Sequence, residues 1–308
     1  MEKNDTYSPY GVDLFGDVIR PDVSGIIADR FIVPPFSILD AKQGSWQRRK
    51  RAWKNIGLKS EIGRSAECNA KSLRPLTGDR DRLLDKGTSI FDPVLCELAY
   101  SWFCPPNGQI IDPFAGGSVR GIVAGAMGYD YWGCDLSDLQ VEANIDQSKA
   151  IKTDKSPKWI VGDSIVELSK APDADFIFSC PPYGNLEVYS DDPRDISTME
   201  YHTFKAAYGR IILKAVKKMK PNSFACFVVG DFRCAKGFYR NFVSDTINAF
   251  EMSGAKLYND AILATPLGNA AMRAAAFDKG RKLVKVHQNI LVFCKGDCKI
   301  ASGKITKK

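Results

Sequence analysis

From residue 88 onward, short apolar runs alternate with segments that have the apolar spacing of helices. Such alternation predicts an α/β fold, built as a doubly wound and mostly parallel sheet. The last two apolar runs, KLYNDAILA and VHQNILVFC, have no full helix between them and therefore predict an antiparallel terminal hairpin. We expect one α/β domain over residues 88–298, with a basic extension over 1–87 before it and a basic tail over 299–308 after it.

Composition and charge limit the classes of function. The chain has 308 residues, of which 44% are hydrophobic, and its formal net charge of +7 permits a polyanionic partner without requiring one. No apolar run reaches about 18 residues, which disfavours a membrane span, and the polar N-terminus shows no signal peptide. Nine scattered cysteines without a C-x-x-C pair predict reduced thiols in a cytoplasmic protein and disfavour a zinc site.

The segment IIDPFAGGSVRG, at residues 110–121, is predicted to be a strand that turns through glycines into a helix. The strand delivers Asp112 to the edge at which open α/β sheets bind ligands, and Gly116 and Gly117 let the backbone approach a ligand closely. The segment is not G-x-G-x-x-G and has no G-K-S/T ending, so dinucleotide and triphosphate cradles are disfavoured. A purely structural strand–turn–helix is the alternative interpretation.

Acidic residues follow the next two predicted strands. Asp135 comes 23 residues after Asp112, at a position where an acid can accept both hydroxyls of a ribose. Asp163, with Ser164 beside it, can hydrogen-bond the exocyclic amine of an adenine. Either acid can instead cap the helix that follows it. Together with the glycine turn, the two acids favour a nucleoside-binding site.

The segment FSCPPYGN, at residues 178–185, ends the fourth predicted strand. Pro181 and Pro182 stiffen the backbone and remove two N–H donors, so the carbonyls of Cys180 and Pro181 can face a ligand. An exocyclic amine on a base is a poor nucleophile, and acceptors directed at its hydrogens localise its lone pair. Tyr183 offers a flat face on which a flipped-out base can stack. A simple Pro-Pro turn is the alternative interpretation.

The motifs DPFAGGS, GCDLS, GDS and CPPY, in this order, resemble those of the DNA amino-methyltransferases, which use S-adenosyl-L-methionine (SAM) to methylate N6 of adenine or N4 of cytosine. The resemblance covers residues 88–297 and implies a Rossmann-like SAM-dependent methyltransferase fold. SIFDPVL resembles the methionine-binding segment of that family. The cofactor-binding residues that the resemblance implies are Phe91, Asp92, Pro93, Asp112, Pro113, Phe114, Gly116, Gly117, Asp135, Leu136, Asp163 and Ser164. The implied catalytic residues are Ser179, Cys180, Pro181, Pro182 and Tyr183.

Cys180 departs from the family pattern, which has Asp, Asn or Ser before Pro-Pro. A thiol is a weak acceptor and carries little negative charge. In one interpretation Cys180 replaces Ser as a small residue, the Pro181 carbonyl directs the amine, and Ser179 partly compensates. In a second, Cys180 is a nucleophile that attacks a pyrimidine ring carbon. In a third the enzyme is altered or inactive. We favour the first, because the sequence identifies no partner base or acid for a nucleophilic Cys180.

Basic segments supply the candidate DNA contacts. The stretch WQRRKRAWK, at residues 46–54, places cations between two tryptophans, and an exposed basic helix or turn is the alternative interpretation. The segment at 265–285 is too long for a hairpin turn and is also basic. The acidic stretch at 187–195 is interpreted as a lid over the base pocket. The predicted DNA-binding residues are Arg48, Arg49, Lys50, Arg51, Lys54, Arg273, Arg281 and Lys282.

The predicted function is transfer of a methyl group from SAM to the exocyclic amine of a flipped-out DNA base, with adenine N6 first and cytosine N4 second. The alternatives are another base modification through Cys180, methylation of RNA or protein, and a non-catalytic DNA-binding protein. No large recognition domain is evident, so either the recognised DNA sequence is short or a partner protein provides the specificity. A homodimer is a further alternative. The N-terminal stretch also resembles segments of phage and prophage methylases, which implies a bacterial cytoplasm.

Overall fold

The structure is a computed structural model of the 308-residue chain. It describes residues 31–58, 91–184, 189–265, 270, 274 and 277–305. Most of the predicted N-terminal extension lies outside the described residues, and so do the first two residues of the predicted lid. Arg273, one of the predicted DNA contacts, lies outside them as well.

Eight described strands form one sheet, in the order β1-β7-β8-β6-β5-β2-β3-β4. Of these eight, β8 alone runs against its neighbours, so β7 and β8 form the antiparallel terminal pair that the sequence predicts. The mostly parallel α/β sheet is confirmed. The strands are β1 (Ile38–Asp40), β2 (Gln109–Asp112), β3 (Asp130–Asp135), β4 (Lys158–Val161), β5 (Ala174–Ser179), β6 (Met219–Val229), β7 (Lys256–Ala264) and β8 (His287–Lys295).

Helices connect most of these strands. None of the described helices has the length and apolar character needed to cross a bilayer. The helices are α1 (Gly44–Asn55), α2 (Pro93–Phe103), α3 (Val119–Ala126), α4 (Asp138–Ala150), α5 (Ser164–Glu167), α6 (Tyr201–Lys218), α7 (Phe242–Met252), α8 (Phe277–Gly280) and α9 (Cys298–Gly303), with a 3-10 turn at Ile196–Thr198.

Side chains of β5 alternate between two apolar cores. Phe176 and Phe178 pack with α2 and α3, whereas Ile177 packs with α6 and α7. Successive residues of a strand point to opposite faces of the sheet, so the two cores lie on opposite sides of it. Helices therefore cover both faces, which is the doubly wound arrangement expected from the sequence.

Local sequence explains where two of the helices begin. Asp92 accepts a hydrogen bond from the Val94 N–H, and Pro93 occupies the first turn of α2, where its missing N–H leaves no bond unmade. Ser137 caps α4 in the same way, through the N–H of Gln140. The start of α2 follows the Pro signal visible in the sequence, whereas α4 is capped by Ser137 and not by Asp135, the acid given as the capping alternative.

Three boundaries differ from the sequence pattern. Helix α6 ends at Lys218, because Met219 already pairs with β5 as the first residue of β6. Helix α7 begins at Phe242, because residues 233–240 before it form a small hairpin of their own. Residues Cys298–Gly303, which run from the last residue of the predicted domain into the region assigned to a basic tail, form α9, which packs against β6.

The direction in which the strands are added reverses between β4 and β5. As a result β2 has β3 on one side and β5 on the other. Open α/β sheets bind ligands in the crevice beyond the carboxyl ends of the strands at such a reversal. Because β2, β3, β4 and β5 are parallel, the residues that end them meet at this one edge.

Candidate active site

Asp112, at the end of β2, is fully buried and bound by four groups. Its Oδ2 accepts from Nε of Arg120 at 2.5 Å and from the Tyr131 hydroxyl at 2.8 Å. Its Oδ1 accepts from the Ser179 hydroxyl at 2.5 Å and from the Phe114 N–H at 3.1 Å. This carboxylate joins β2 to β3 and β5 and is closed off from solvent. Asp112 therefore positions the site, and its direct contact with a cofactor stays a prediction.

Arg120 is the charged partner of Asp112 and is itself buried on α3. Its Nη2 donates to the carbonyls of Phe114 and Ala115 at 2.5 and 2.8 Å, and its guanidinium lies 4.7 Å from the centroid of the Phe91 ring. Burial lowers the pKa of Arg120, but the adjacent Asp112 carboxylate, together with Tyr131 and Cys180, more than offsets this effect, and the net pKa lies above its ordinary value. Arg120 thus stays charged and fixes the loop that follows β2.

The glycine turn after β2 is joined to the end of β3 through Asp135. The Gly116 N–H donates to Oδ2 of Asp135 at 2.8 Å, and the Ser137 N–H donates to Oδ1 at 2.9 Å. Gly116 has φ +48°, a left-handed backbone that favours glycine, and a Cβ there would meet its nearest described neighbour at 3.9 Å. Gly116, Gly117 and Leu136 are partly exposed, so the turn borders open space.

Asp135 itself is partly exposed at the crevice. Burial raises the pKa of the Asp135 carboxyl, and the two N–H groups that it accepts lower it by less. A carboxylate offers about four acceptor positions. The two backbone donors therefore leave capacity for hydroxyl donors of a ligand, and the predicted contact of Asp135 with a ribose stays a prediction.

Asp163 and Ser164 follow β4 and are held in different ways. Oδ1 of Asp163 accepts from the Ile165 N–H at 2.8 Å, so Asp163 caps α5, which was the structural alternative for this acid. Ser164 is buried, and its hydroxyl donates to the Pro113 carbonyl at 2.6 Å. Ser164 thereby ties β4 to the loop after β2, whereas Asp163 keeps a partly exposed carboxylate beside the crevice.

Asp92, which precedes α2, is bound on both carboxylate oxygens. Oδ1 accepts from the Val94 N–H at 3.0 Å, and Oδ2 accepts from Nζ of Lys50 at 2.9 Å and Nε1 of Trp46 at 3.2 Å. These bonds attach α1 to the start of α2. The neighbouring Phe91 ring packs edge-on against the ring of Phe178, two residues before Cys180, with 5.6 Å between the ring centroids.

The segment that follows β5 forms a sharp corner, residues Cys180–Tyr183, which we name the CPPY corner. Its Cys180 is partly exposed, with Sγ 3.9 Å from the Tyr183 hydroxyl. That hydroxyl accepts from Nε2 of Gln288 on β8 at 2.6 Å, and the Tyr183 ring packs against Phe242 at 5.9 Å. Burial and the nearby Cys180 raise the pKa of Tyr183 well above its usual value, so the phenol stays neutral.

Gly184 directly follows the CPPY corner and has a positive φ of +54°. A Cβ on Gly184 would lie 2.7 Å from the Phe232 ring, so glycine is needed both for the backbone turn and for the close approach of this ring. Phe232 is buried, and it packs against Phe242 as well. One side of the corner is therefore held by aromatic rings that come from the segment after β6.

Comparisons with known proteins give similarities and no assignment. No protein-family model matches the sequence, and no curated protein matches it. TrmN from Thermus thermophilus is similar in structure, with a TM-score of 0.45, 14% identity, and coverage of 66% of this chain and 48% of TrmN. A candidate DNA modification methylase from Thermus thermophilus, complexed with S-adenosyl-L-methionine, has a TM-score of 0.34 and 19% identity over 44% of this chain and 52% of its own.

The magnesium protoporphyrin IX methyltransferase of Synechocystis PCC 6803, solved with bound SAM, is similar over more of its own length. It has a TM-score of 0.45 and 10% identity, and covers 74% of this chain and 91% of its own. The chain spans about half the length of TrmN and of the methylase from Thermus thermophilus. At these identities and TM-scores the similarities carry no conclusion about family or activity, and the α/β fold rests on the sheet itself.

The basic residues predicted to contact DNA fall into two groups on α1. Nε and Nη2 of Arg49 bind the two carboxylate oxygens of Glu97, and Lys50 binds Asp92, so these two cations hold α1 against α2. Two of the five basic residues predicted to contact DNA thus bind carboxylates that α2 carries opposite α1, and DNA contact by all five stays a prediction. The other three are Arg48, which is partly exposed, and Arg51 and Lys54, which are exposed.

The second predicted DNA-binding segment is described in part. Arg281 and Lys282 are exposed, and Nη1 of Arg281 lies 3.7 Å from Oδ1 of Asp278, a loose surface contact.

In the predicted lid, the Ser190 hydroxyl donates to Asp195 and the Tyr189 N–H donates to the Ser197 hydroxyl. Internal hydrogen bonds therefore order the described part of that segment.

Three residues that shape the site were not predicted from the sequence. Arg120 carries a signal that could have found it, since it follows the glycine turn within SVRG. Tyr131 and Gln288 carry none, because a tyrosine early in a strand and a glutamine 105 residues from Tyr183 reveal their hydrogen bonds only in three dimensions.

Proposed function

We propose that this protein is a SAM-dependent methyltransferase that methylates the exocyclic amine of a flipped-out base in DNA, N6 of adenine before N4 of cytosine. One observation carries the proposal: a proline-rich corner with a partly exposed tyrosine lies beside a glycine turn and a partly exposed acid at the strand reversal. The corner and the turn end the neighbouring strands β5 and β2, so two bound molecules can meet between them.

The residues at the carboxyl edge fit a nucleoside-containing cofactor. Asp135 has acceptor capacity for the ribose hydroxyls, and Asp163 has it for an adenine amine. The turn has room for a ligand against its backbone at Gly116. When bound, SAM would supply an electrophilic methyl group on its sulfonium sulfur. In the Phe91–Pro93 segment Asp92 is occupied by α1 and α2, so we propose that this segment contributes the Phe91 ring rather than a carboxylate.

The CPPY corner would bind and orient the second substrate. Pro181 and Pro182 lack N–H groups. No backbone donor at these two positions can therefore occupy the carbonyls of Cys180 and Pro181 in place of a ligand. Directed at the two hydrogens of an exocyclic amine, these carbonyls would localise the nitrogen lone pair. Tyr183 would stack on the base, with its hydroxyl fixed by Gln288. The Ser179 hydroxyl donates a hydrogen bond to Asp112, so in this proposal Ser179 fixes the start of the corner and does not contact the base.

The partly exposed thiol of Cys180 favours a second candidate, covalent attack on a pyrimidine ring carbon. This candidate predicts methylation at carbon, whereas the leading proposal predicts methylation at nitrogen. The two are distinguishable in one measurement, because the methylated nucleosides differ in chromatographic behaviour and fragmentation.

The test is nucleoside mass spectrometry of plasmid DNA from a bacterial strain that expresses the chain and has no DNA methylation of its own. We expect N6-methyladenine, and N4-methylcytosine would select the second base. Asp135→Asn should abolish the signal, while Asp138→Asn, an exposed acid three residues away, should leave it unchanged.

A titration with SAM separates the ways in which the proposal can fail. Binding of SAM without any methylated nucleoside in DNA would show that the substrate class is wrong. Absence of SAM binding in the folded protein would overturn the enzyme assignment itself.

A further inference from the structure

The segment after β6 passes beside the CPPY corner and then forms a small hairpin at residues 233–240. It starts next to the proposed base pocket, because a Cβ placed on Gly230 would lie 3.7 Å from Cε2 of Tyr183. Phe232, directly before the hairpin, packs under Gly184 at the end of the corner. The hairpin is therefore anchored to the same rings that support the corner.

Backbone hydrogen bonds hold the hairpin in shape. Arg233 and Tyr239 form an antiparallel bridge, and the Cys234 N–H donates to the Phe238 carbonyl at 2.8 Å. The turn closes through the Gly237 N–H, which donates to the Cys234 carbonyl at 2.8 Å, and Gly237 has φ +91°. A hairpin closed in this way presents its tip without further ordering.

The tip presents aromatic side chains together with cations. Phe238 is 73% exposed, and Tyr239 beside it is 42% exposed. The Arg233 guanidinium lies 4.0 Å from the centroid of the Tyr239 ring and donates to the Gly237 carbonyl at 2.9 Å. The hairpin also carries Lys236, which is exposed.

Further cations approach the hairpin from the segment before β8. Lys282 lies over the turn, since a Cβ on Gly237 would meet its Nζ at 2.5 Å. Lys285 lies at the base, with its Cε 3.5 Å from a Cβ placed on Gly230. The acid next to the hairpin in sequence, Asp231, accepts from the Val243 N–H. An exposed aromatic ring among cations complements the bases and phosphates of a nucleic acid better than the apolar surface of a protein.

We propose that residues 233–240 form a nucleic-acid-binding hairpin in which Phe238 stacks on a base next to the flipped-out one, while Lys236 and Lys282 contact phosphates. The inference rests on the proposed function, because it needs DNA as the substrate. Apolar side chains inserted between bases stabilise a locally unstacked duplex, and removal of a base from the stack opens such a gap. The hairpin lies beside the corner that would receive that base.

The test measures equilibrium binding of a fluorescein-labelled mixed-sequence duplex and of its single strands at fixed salt. Phe238→Ala should weaken binding roughly 5- to 100-fold, the range seen when a base-stacking aromatic is removed. Phe36→Ala is the matched control, because Phe36 is 68% exposed and precedes β1, which β7 and β8 separate from β6. Phe36→Ala should bind as the wild type does.

A second variant tests the contact by fluorescence and does not depend on a change in affinity. Phe238→Trp should retain binding, and its added indole emission should be quenched by DNA, whereas the emission added by Phe36→Trp should not be. Wild-type affinity in Phe238→Ala, or an unquenched Phe238→Trp, would overturn the hairpin inference and leave the proposed function standing.

Two further outcomes contradict the inference in other ways. A folded wild type that binds SAM but neither the duplex nor the single strands would overturn DNA as substrate and the hairpin inference together. Self-association of the wild type that Phe238→Ala removes would identify the tip as a protein contact and would also overturn the inference.

Discussion

The Nε atom of Arg120 donates to Oδ2 of Asp112 over 2.5 Å, and the two side chains are 6% and 0% exposed. Removal of one partner would leave the other charge buried without an opposite charge beside it. We expect Arg120→Met to lower the free energy of unfolding by about 3–5 kcal/mol. Chemical denaturation measures this change. The exposed pair of Lys155 and Asp130 gives the control, and Lys155→Met should lose less than about 1 kcal/mol.

The double variant Arg120→Met with Asp112→Asn tests the origin of that loss. It should be more stable than Arg120→Met alone, because the uncompensated carboxylate is gone. Equal losses for Arg120→Met and Lys155→Met would show that the buried pair has no special weight in the fold.

Tyr183 is expected to act through its ring. Tyr183→Phe loses the hydrogen bond from Gln288, worth about 1 kcal/mol, and the weaker contact with Sγ of Cys180, and it should keep kcat/KM within about tenfold of the wild type. Tyr183→Ala loses the stacking face and should reduce kcat/KM by a further 5- to 100-fold or so. Steady-state methylation assays measure both. Equal loss in the two variants would assign the chemistry to the hydroxyl and contradict the stacking role.

Asp135 should make the stability of the fold depend on pH in a specific direction. Burial raises its folded pKa above the ordinary 3.8, so above that pH the folded state holds more protons than the unfolded state. The Asp135 contribution to stability therefore falls as pH rises from 3.8 through the folded pKa. Asp135→Asn should remove this fall, although it lowers stability at every pH because the Gly116 N–H loses its acceptor. Denaturation curves across this pH range measure the effect, and identical pH profiles would contradict it.

Cys180 is expected to be replaceable. If the carbonyls of Cys180 and Pro181 orient the amine, Cys180→Ser should keep methylation within a few-fold of the wild type. DNA containing 5-fluorocytosine traps enzymes that attack the pyrimidine ring covalently, and we expect no trapped complex with the wild type. A covalent complex that Cys180→Ser abolishes would establish the nucleophilic alternative.

The exposed cations of α1 should affect DNA binding, and its paired cations should affect stability. Arg51→Gln and Lys54→Gln should each weaken DNA binding at all sequences and reduce the slope of log K against log salt by about 1. Arg49→Gln should instead lower the free energy of unfolding, since Arg49 binds Glu97. Salt-dependent binding and denaturation distinguish the two groups. An unchanged salt slope in both exposed variants would exclude α1 from the DNA surface.

Much of the sheet could be predicted because strand signals are local. The five apolar runs between residues 109 and 229 became β2 to β6, and the paired runs near the C-terminus became β7 and β8. The acids that end strands could be located for the same reason, since parallel strands bring their carboxyl ends to one edge. What Asp112 binds could not be predicted, because Arg120, Tyr131 and Ser179 reach it from three different elements.

The α1 segment shows a different limit of sequence patterns. Its run of cations is equally compatible with phosphate contacts and with intramolecular ion pairs. The choice depends on Asp92 and Glu97, which lie more than forty residues away along the chain and opposite α1 in space. A hydrophobic pattern fixes which face of a helix is buried, and it does not fix which charges lie across from the other face.

The single antiparallel strand has a consequence for how the chain acquires its fold during synthesis. β8 lies between β6 and β7, and β1 pairs with β7 across 224 residues, from Ile38 to Ile262. Until β8 has left the ribosome, β6 keeps an unpaired edge and β1 with β7 cannot join the growing sheet. A nascent chain stalled before His287 would therefore expose a β edge to chaperones and to other chains, and completion of the last strand would close it.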